Sequence, residues 1–330
     1  FDSGGSWQSL QLNLPVTPVS DLLLKRDDLV AATQGRGFWI LDDVTPLHQQ
    51  GDMQAGQPFL YRPRDVHRIE GGWKQPGKYM SQDDFMGGNI ETDRVGANPP
   101  GGAAIYYNLP VAVDRVEDLR IRIGDAKGND VRVFAGADSG LSTVKGMHRL
   151  VWDLTYPGPD LIPGSRLDGY TGGPRAVPGR YTVRLEVGSW SQTREFRVLI
   201  DPRSESSLAD LQSQFDLLIA LRDKISKTHD AVRSIQKVRD GLEADGAMAA
   251  ELTDIEDHLR QNRSKVWQDT VNFETLLDDQ FAWLAGYVMS ADARPTDSAI
   301  ERYNDISRDL DAQLARLDRV LHETPKRESP

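Results

Sequence analysis

The chain has 330 residues, 27% charged and 38% hydrophobic, with a formal net charge of −11 and no cysteine. Two or three domains are expected at this length. The acidic balance argues against a nucleic-acid partner, because phosphate binding needs a basic surface, and the lack of cysteine excludes disulfides, thiolate catalysis and Cys-ligated zinc.

No apolar run approaches the roughly 20 residues that span a bilayer. The start, Phe1-Asp2-Ser3-Gly4-Gly5, lacks the basic and apolar segments of a signal peptide. It also lacks an initiator Met, so the chain reads as a fragment or processed product. Residues Phe1 to Trp7 contain the pattern Asp-x-Gly-x-Ser-Trp, formed by Asp2, Gly4, Ser6 and Trp7. A short Asp accepts backbone hydrogen bonds in a tight turn, and Gly tolerates positive φ there. Trp7 is then free to plug a neighbouring core. This resembles the Asp-box (BNR repeat) turn of sialidase-like and sortilin-like β-propellers, a structural turn rather than a catalytic one. The match is truncated, since the Ser that usually stands two residues before the Asp would precede Phe1.

Strands are expected at 19–25, 29–33 and 37–41, separated by Arg26-Asp27-Asp28 and Gln34-Gly35-Arg36. Three short strands with tight turns make a meander of the kind found in one propeller blade. The run DLVAATQGRGFWILDDVTPL resembles the end of the propeller in large bacterial BNR-repeat or sortilin-like proteins that carry a glycosyl hydrolase label. That resemblance implies a large N-terminal propeller outside this chain, because one lone blade leaves two edges and a face uncovered.

From 45 to 100 the chain is rich in Gly, Pro, Gln and Asp. Pro58 to Pro63 reads as a segment lying across a surface, and 71–98 as a long irregular loop, which is either functional or mobile. Trp73, Tyr79, Phe85 and Met86 make that loop aromatic, as a sugar- or peptide-binding surface requires; packing of the rings onto the domain is the favoured reading.

After Pro99-Pro100-Gly101-Gly102, strands follow at 104–109, 119–123, 131–134 and 150–154, and the hairpin 179–203 closes the series. In that hairpin Tyr181, Val183, Leu185 and Val187 alternate with Thr182, Arg184 and Glu186, and Phe196, Val198 and Ile200 resume the period after Gly188-Ser189. Six or so antiparallel strands with a buried Trp152 on a middle strand suggest an immunoglobulin-like or fibronectin-III-like sandwich. The order of motifs also resembles the FlgD-like immunoglobulin fold attached to these propellers. Asp125, Asn129 and Asp130 loosely match a calcium loop, but the remaining ligands and the distal Glu are absent, and a hairpin turn fits better. The Gly/Pro-rich stretch 157–178, with Tyr156, Tyr170 and Arg175 beside or within it, reads as a rim or a crossing between sheets.

Beyond Pro202 the period becomes helical. Ser204 to Ser207 offer an N-cap. Leu208, Leu211, Phe215, Leu218, Ile225, Val232, Ile235, Val238 and Leu242 form one stripe of about 35 residues. A second helical stretch covers 248–262, and 266–289 extends or follows it, with Phe273, Leu276, Leu277, Phe281, Trp283 and Leu284 apolar. A last helix after Pro295 carries Tyr303, Ser307, Leu310, Leu314, Leu317 and Leu321 in a 4-3-4-3 rhythm. Three long antiparallel helices make a bundle.

No HExxH pair, GxSxG elbow, P-loop or GxGxxG is present. The six histidines are scattered, and His229, at a core-spaced position, is expected to be a buried neutral imidazole. A glycosidase needs two carboxylates roughly 5–10 Å apart across a cleft. Adjacent residues of an extended chain or helix point apart, so Asp42-Asp43, Asp83-Asp84 and Asp278-Asp279 make poor couples.

The expected architecture is a multidomain β plus α chain. It comprises partial propeller blade strands (1–60), an irregular linker (61–100), an immunoglobulin/fibronectin-III-like sandwich (101–203) and an antiparallel three-helix bundle (204–330). The expected role is a non-catalytic accessory or scaffold region needing no cofactor, for domain bracing, self-association or protein or glycan binding. The expected partners are the absent propeller, a second copy through the bundle, or a glycan or peptide. The family resemblance implies a secreted or periplasmic setting. The alternative is part of a glycoside hydrolase whose carboxylates lie on blades outside this chain.

Overall fold

A computed structural model describes residues 5–7, 9–69, 101–242, 246–264, 266, 269 and 272–322. They belong to two compact units, one of Phe1–Leu154 with Pro178–Leu199 and one of Thr155–Val177 with Ile200–Pro330.

The first unit is built of strands. β1 (Val19–Lys25), β2 (Asp28–Thr33) and β3 (Gly37–Leu41) form an antiparallel sheet in sequence order. The β1–β2 turn is the pair Arg26-Asp27, with φ of 50° and 65°. A two-residue hairpin turn needs this left-handed pair to match the strand twist, and at Arg26 it strains a side chain that disfavours the conformation. A short helical turn, α1 (Thr45–His48), follows.

Eight strands then make two facing sheets. One has the order β4 (Phe59–Leu60), β6 (Ala103–Leu109), β9 (Gly146–Trp152). The other has the order β5 (Val66–Arg68), β11 (Trp190–Ile200), β10 (Gly179–Val187), β7 (Leu119–Gly124), β8 (Asp130–Ala135). Period-two burial builds the core between them: Ala103, Ile105, Tyr107 and Leu109 from β6, Leu119, Ile121 and Ile123 from β7, and Tyr181, Val183 and Leu185 from β10. Trp152 joins the sheets, its ring centroid 5.4 Å from Tyr181 and 6.2 Å from Phe196.

Two expectations change here. Trp152 lies on β9, an edge strand rather than a middle one. Residues 59–68, read as the end of the blade and the start of a linker, supply β4 and β5 to the two sheets. Their anchors come from distant side chains. Gln192 Oε1 accepts the Leu60 N–H at 2.7 Å, and Arg194 Nε donates to the Leu60 carbonyl at 3.1 Å.

Among the described residues the second unit holds four helices, α2 (Leu208–Arg239), α3 (Ala247–Leu259), α4 (Leu277–Met289) and α5 (Asp297–His322). Ser207 caps α2 in a reciprocal box with Asp210. The stripe residues Leu211, Leu218, Ile225, Val232 and Ile235 are buried, as are Leu252, Ile255, Phe281, Ile306, Leu310 and Leu317 from the other helices. The expected three helices are four because α3 stops at Leu259. Arg260 is extended (φ −145°, ψ 140°), and Gln261 turns inward to donate to the Glu274 carbonyl at 3.0 Å. Trp283, expected in the apolar set, is exposed, as are Leu208 and Tyr287. The apolar stripe of α5 is spent inside its own bundle. Gln214, buried on α2, donates to the Val288 carbonyl at 2.8 Å and to the Ala291 carbonyl, ending α4.

The stretch Thr155–Val177 is the expected crossing between sheets, since it leads from β9 in one to β10 in the other, and on its way it forms a strap on these helices. Its neck is closed where Thr155 bridges Arg175 and the Tyr156 N–H meets the Pro174 carbonyl at 2.9 Å. Leu161, Ile162, Leu167 and Tyr170 pack on the helical core. Gly169 (φ 124°) comes so close to α4 that a Cβ there would lie 2.6 Å from the Ala282 carbonyl carbon, which lets the Tyr170 N–H reach the Ala282 oxygen at 2.9 Å.

Candidate functional site

Among the described residues, three places carry chemistry or surface beyond ordinary packing. The first is the β1–β3 sheet. Cross-strand register puts Leu22 and Leu24 on one face and Leu23, Phe38 and Ile40 on the other. These side chains are 59%, 55%, 56%, 78% and 60% exposed, in the same order. A sheet with bulky apolar groups open on both faces differs from the half-buried sheet of a self-sufficient domain, which keeps one polar face. The corner beside it is polar and tied down. Arg64 pairs with Asp28 at 2.7 Å and donates to the Arg26 carbonyl at 2.7 Å, and the Asp43 N–H meets Asp28 at 2.9 Å. Burial works upward on the Asp28 carboxyl, but these donors hold it below its ordinary value.

The second place is an open cleft of about 730 Å³ along the edge of β11, lined by Arg62, Asp65, Arg180, Thr193, Arg194, Glu195, Phe196 and Arg197. Arg197 pairs with Asp65 at 2.7 Å, and Arg180 with Glu195 at 3.7 Å. Arg194 lies over the Phe59 ring at 5.5 Å, an arrangement that holds a guanidinium while leaving its outer N–H groups to the cleft. Arg62 bonds Gln49 through its backbone, N–H to Oε1 at 2.8 Å and carbonyl from Nε2 at 3.2 Å.

The third is a buried acid–imidazole cluster beneath the strap. His229, fully buried on α2, accepts the Ile162 N–H on Nδ1 at 3.0 Å. That nitrogen therefore carries no proton, and the ring proton sits on Nε2, 3.6 Å from Asp278 Oδ2 and beyond hydrogen-bond range. Asp279 Oδ1 accepts the Asp168 N–H at 2.8 Å. Burial first, then the adjacent Asp278 carboxylate, push the Asp279 carboxyl up to about 6, against the opposing Asp168 N–H and Arg260. Asp160 on the strap pairs with Arg233 at 2.8 Å. A fully buried imidazole and a carboxyl beside it have no path to a substrate. Their chemistry is to clamp backbone.

Of the residues singled out from sequence, Asp2, Gly4, Trp73, Tyr79, Phe85 and Met86 lie outside the described residues, as do Asp83 and Asp84. Ser6 is exposed and Trp7 is 89% exposed, so the indole fills no core within this chain. Asp125, Asn129 and Asp130 form the β7–β8 turn. Asp125 Oδ1 accepts N–H groups of Lys127 and Asn129 at 2.9 and 2.8 Å, and Oδ2 accepts the Asn129 amide at 3.1 Å. Burial raises the Asp125 carboxyl, but these amides bring it below its ordinary value. Among the described residues no group of three or more His, Asp or Glu is placed to hold a metal ion, and no helix is long and apolar enough to cross a membrane. The remaining histidines stand apart: Nε2 of His148 meets the Val144 carbonyl at 2.6 Å, and Nδ1 of His258 the Asp254 carbonyl at 2.6 Å.

The β11 cleft was missed in the sequence reading, because its arginines come from separate strands and only the register brings them together. The run Arg180, Arg184, Arg194, Arg197 at even and odd strand positions was the available signal. The chain matches no protein-family model and no curated protein sequence. The architecture defines a mixed β and α chain of more than one compact unit, with a strand-built body and a helical body.

Proposed function

We propose that this chain is a non-catalytic accessory and scaffold region of a BNR-repeat, Asp-box β-propeller protein of the secreted or periplasmic space, and that its β1–β3 sheet is propeller structure docked against neighbouring blades. The observation that carries this reading is the apolar exposure on both faces of that sheet. Five large side chains more than half exposed would each contribute about 1 kcal/mol on burial, roughly 5 kcal/mol together. Closely packed blades cover both faces of a sheet in this way. The hairpin-linked order β1-β2-β3 supports the blade reading.

The two facing sheets support an immunoglobulin- or fibronectin-III-like module. Their orders 4-6-9 and 5-11-10-7-8, with the first strand split into β4 and β5 between the sheets, support that reading. The helical unit then serves as a brace.

The test is amide exchange in β1–β3, compared between this chain by itself and the same residues in a protein that carries the propeller. Docking predicts protection roughly a hundredfold higher in the longer protein, equivalent to about 2.7 kcal/mol. Equal exchange in both would remove the proposal. The double substitution Leu23→Ser, Phe38→Ser should leave the melting of the isolated chain unchanged while lowering that protection.

A further inference from the structure

We propose that the cleft along β11 is a docking site for an extended acidic peptide that adds a strand beside Thr193 and Glu195. Several observations converge on this. The β10–β11 hairpin is closed by two residues, Gly188-Ser189, with Val187 opposite Trp190. Hydrogen-bonded pairs therefore alternate from that position, and the N–H and carbonyl groups of Ser191, Thr193, Glu195 and Arg197 point away from β10. The Arg197 N–H confirms the phase, since Asp65 Oδ1 takes it at 2.8 Å. β5 is three residues long against eleven in β11, so it covers only part of that edge. An incompletely covered strand edge is a template for an added strand.

Charge specifies the sequence of the added strand. Arg180 and Arg197 stand directly opposite each other, a like-charge placement that disfavours the sheet unless anions come between them. Asp65 and Glu195 supply part of that compensation through exposed pairs, which contribute little and exchange readily. Arg62 and Arg194 bring two further guanidinium groups to the same cleft, and neither forms an ion pair among the described residues. Four arginines against two carboxylates make a basic groove in a chain whose net charge is −11. Arginine is suited to carboxylates because its donors meet both oxygens. A peptide with Glu or Asp at alternate positions presents its carboxylates on one face at the strand period. The volume of about 730 Å³ lies within the range of ligand sites, roughly 300–1,000 Å³.

The probe is a fluorescein-labelled octapeptide of alternating Glu and Thr, followed by anisotropy on the full chain at low and moderate salt. Saturable binding that weakens with salt is expected. Arg62→Glu with Arg180→Glu should weaken it at least about tenfold, and methylating alternate peptide nitrogens, which keeps charge but blocks strand pairing, should weaken it by a similar factor. Arg62→Glu alone serves if the double variant melts early, because the Arg62 bonds run through its backbone. Absence of saturable binding at millimolar peptide overturns the proposal. So does equal binding of the methylated peptide, or tighter binding of a heparin hexasaccharide, which would make the cleft a site for sulfated polyanions.

Discussion

Replacing Asp279 with Asn should stabilise the helical unit at neutral pH and slightly weaken it near pH 4. The carboxyl rises from an ordinary 3.8 to about 6 in the folded chain, a shift of about two units, or roughly 3 kcal/mol at about 1.4 kcal/mol per unit. Because the folded value is raised, its contribution is fully present below the unfolded value and is lost as pH climbs through about 6. The wild-type helices should therefore weaken between about pH 4 and 7 on account of this group. Asparagine keeps an oxygen for the Asp168 N–H and removes the charge that faces Asp278. Its new amide N–H₂ needs an acceptor, which costs about 1 kcal/mol at any pH, so a net gain of about 2 kcal/mol is expected above pH 7 and a net loss of up to about 1 kcal/mol near pH 4. Urea unfolding followed by the far-ultraviolet helical signal, at a series of pH values, measures it. A difference between variant and wild type that does not change with pH would refute the reasoning.

Gly169→Ala should destabilise the helical unit by more than about 2 kcal/mol, since the left-handed φ and the close approach to α4 both resist a Cβ; its strap should become a site of rapid proteolytic nicking. Arg239→Met strips the buried Glu256 of its 2.7 Å partner and should cost roughly 2–4 kcal/mol in unfolding free energy, although Gln236 remains at 2.9 Å. Trp152→Ala empties the centre of the two-sheet core and should cost about 3–5 kcal/mol, read from the near-ultraviolet melt of the strand unit. Asp27→Gly should stabilise the strand unit slightly, by about 0.5 kcal/mol in a denaturant melt, because the β1–β2 turn holds a left-handed φ there.

Local pattern was legible where a segment carries its own period and punctuation. β1, β2 and β3 fall within a residue of where alternation and the turns at Arg26-Asp27 and Gly35-Arg36 put them. The β10–β11 hairpin was equally plain, and the cap of α2 falls at Ser207, the last residue of the stretch 204–207 that offered one. What was not legible depends on partners far along the chain. β4 and β5 are too short to show a period, and Leu60 is held by Gln192 and Arg194, more than 130 residues away. The Gly and Pro content of the strap predicts a loop without saying what lies beneath it; the Ile162 N–H finds His229 and the Asp168 N–H finds Asp279 only after α2 and α4 pack. The break after Leu259 is not visible in the spacing, because the residues from 266 on keep a helical pattern that either extends or follows the stretch before them. The cleft arginines were visible one by one, and their convergence was not.

The strap has a practical meaning for anyone who wants the two bodies separately. The polypeptide passes from one to the other after Leu154, after Val177 and again after Leu199, so no single cut separates them cleanly. A truncation at Leu199 would strand Leu161, Ile162, Leu167 and Tyr170 in water without their helices and should drive the product into inclusion bodies. Excising Thr155–Val177 and splicing Leu154 to Pro178 through a short glycine bridge offers the cleaner route to the strand body. The helical body, for its part, needs those excised residues supplied as a separate peptide.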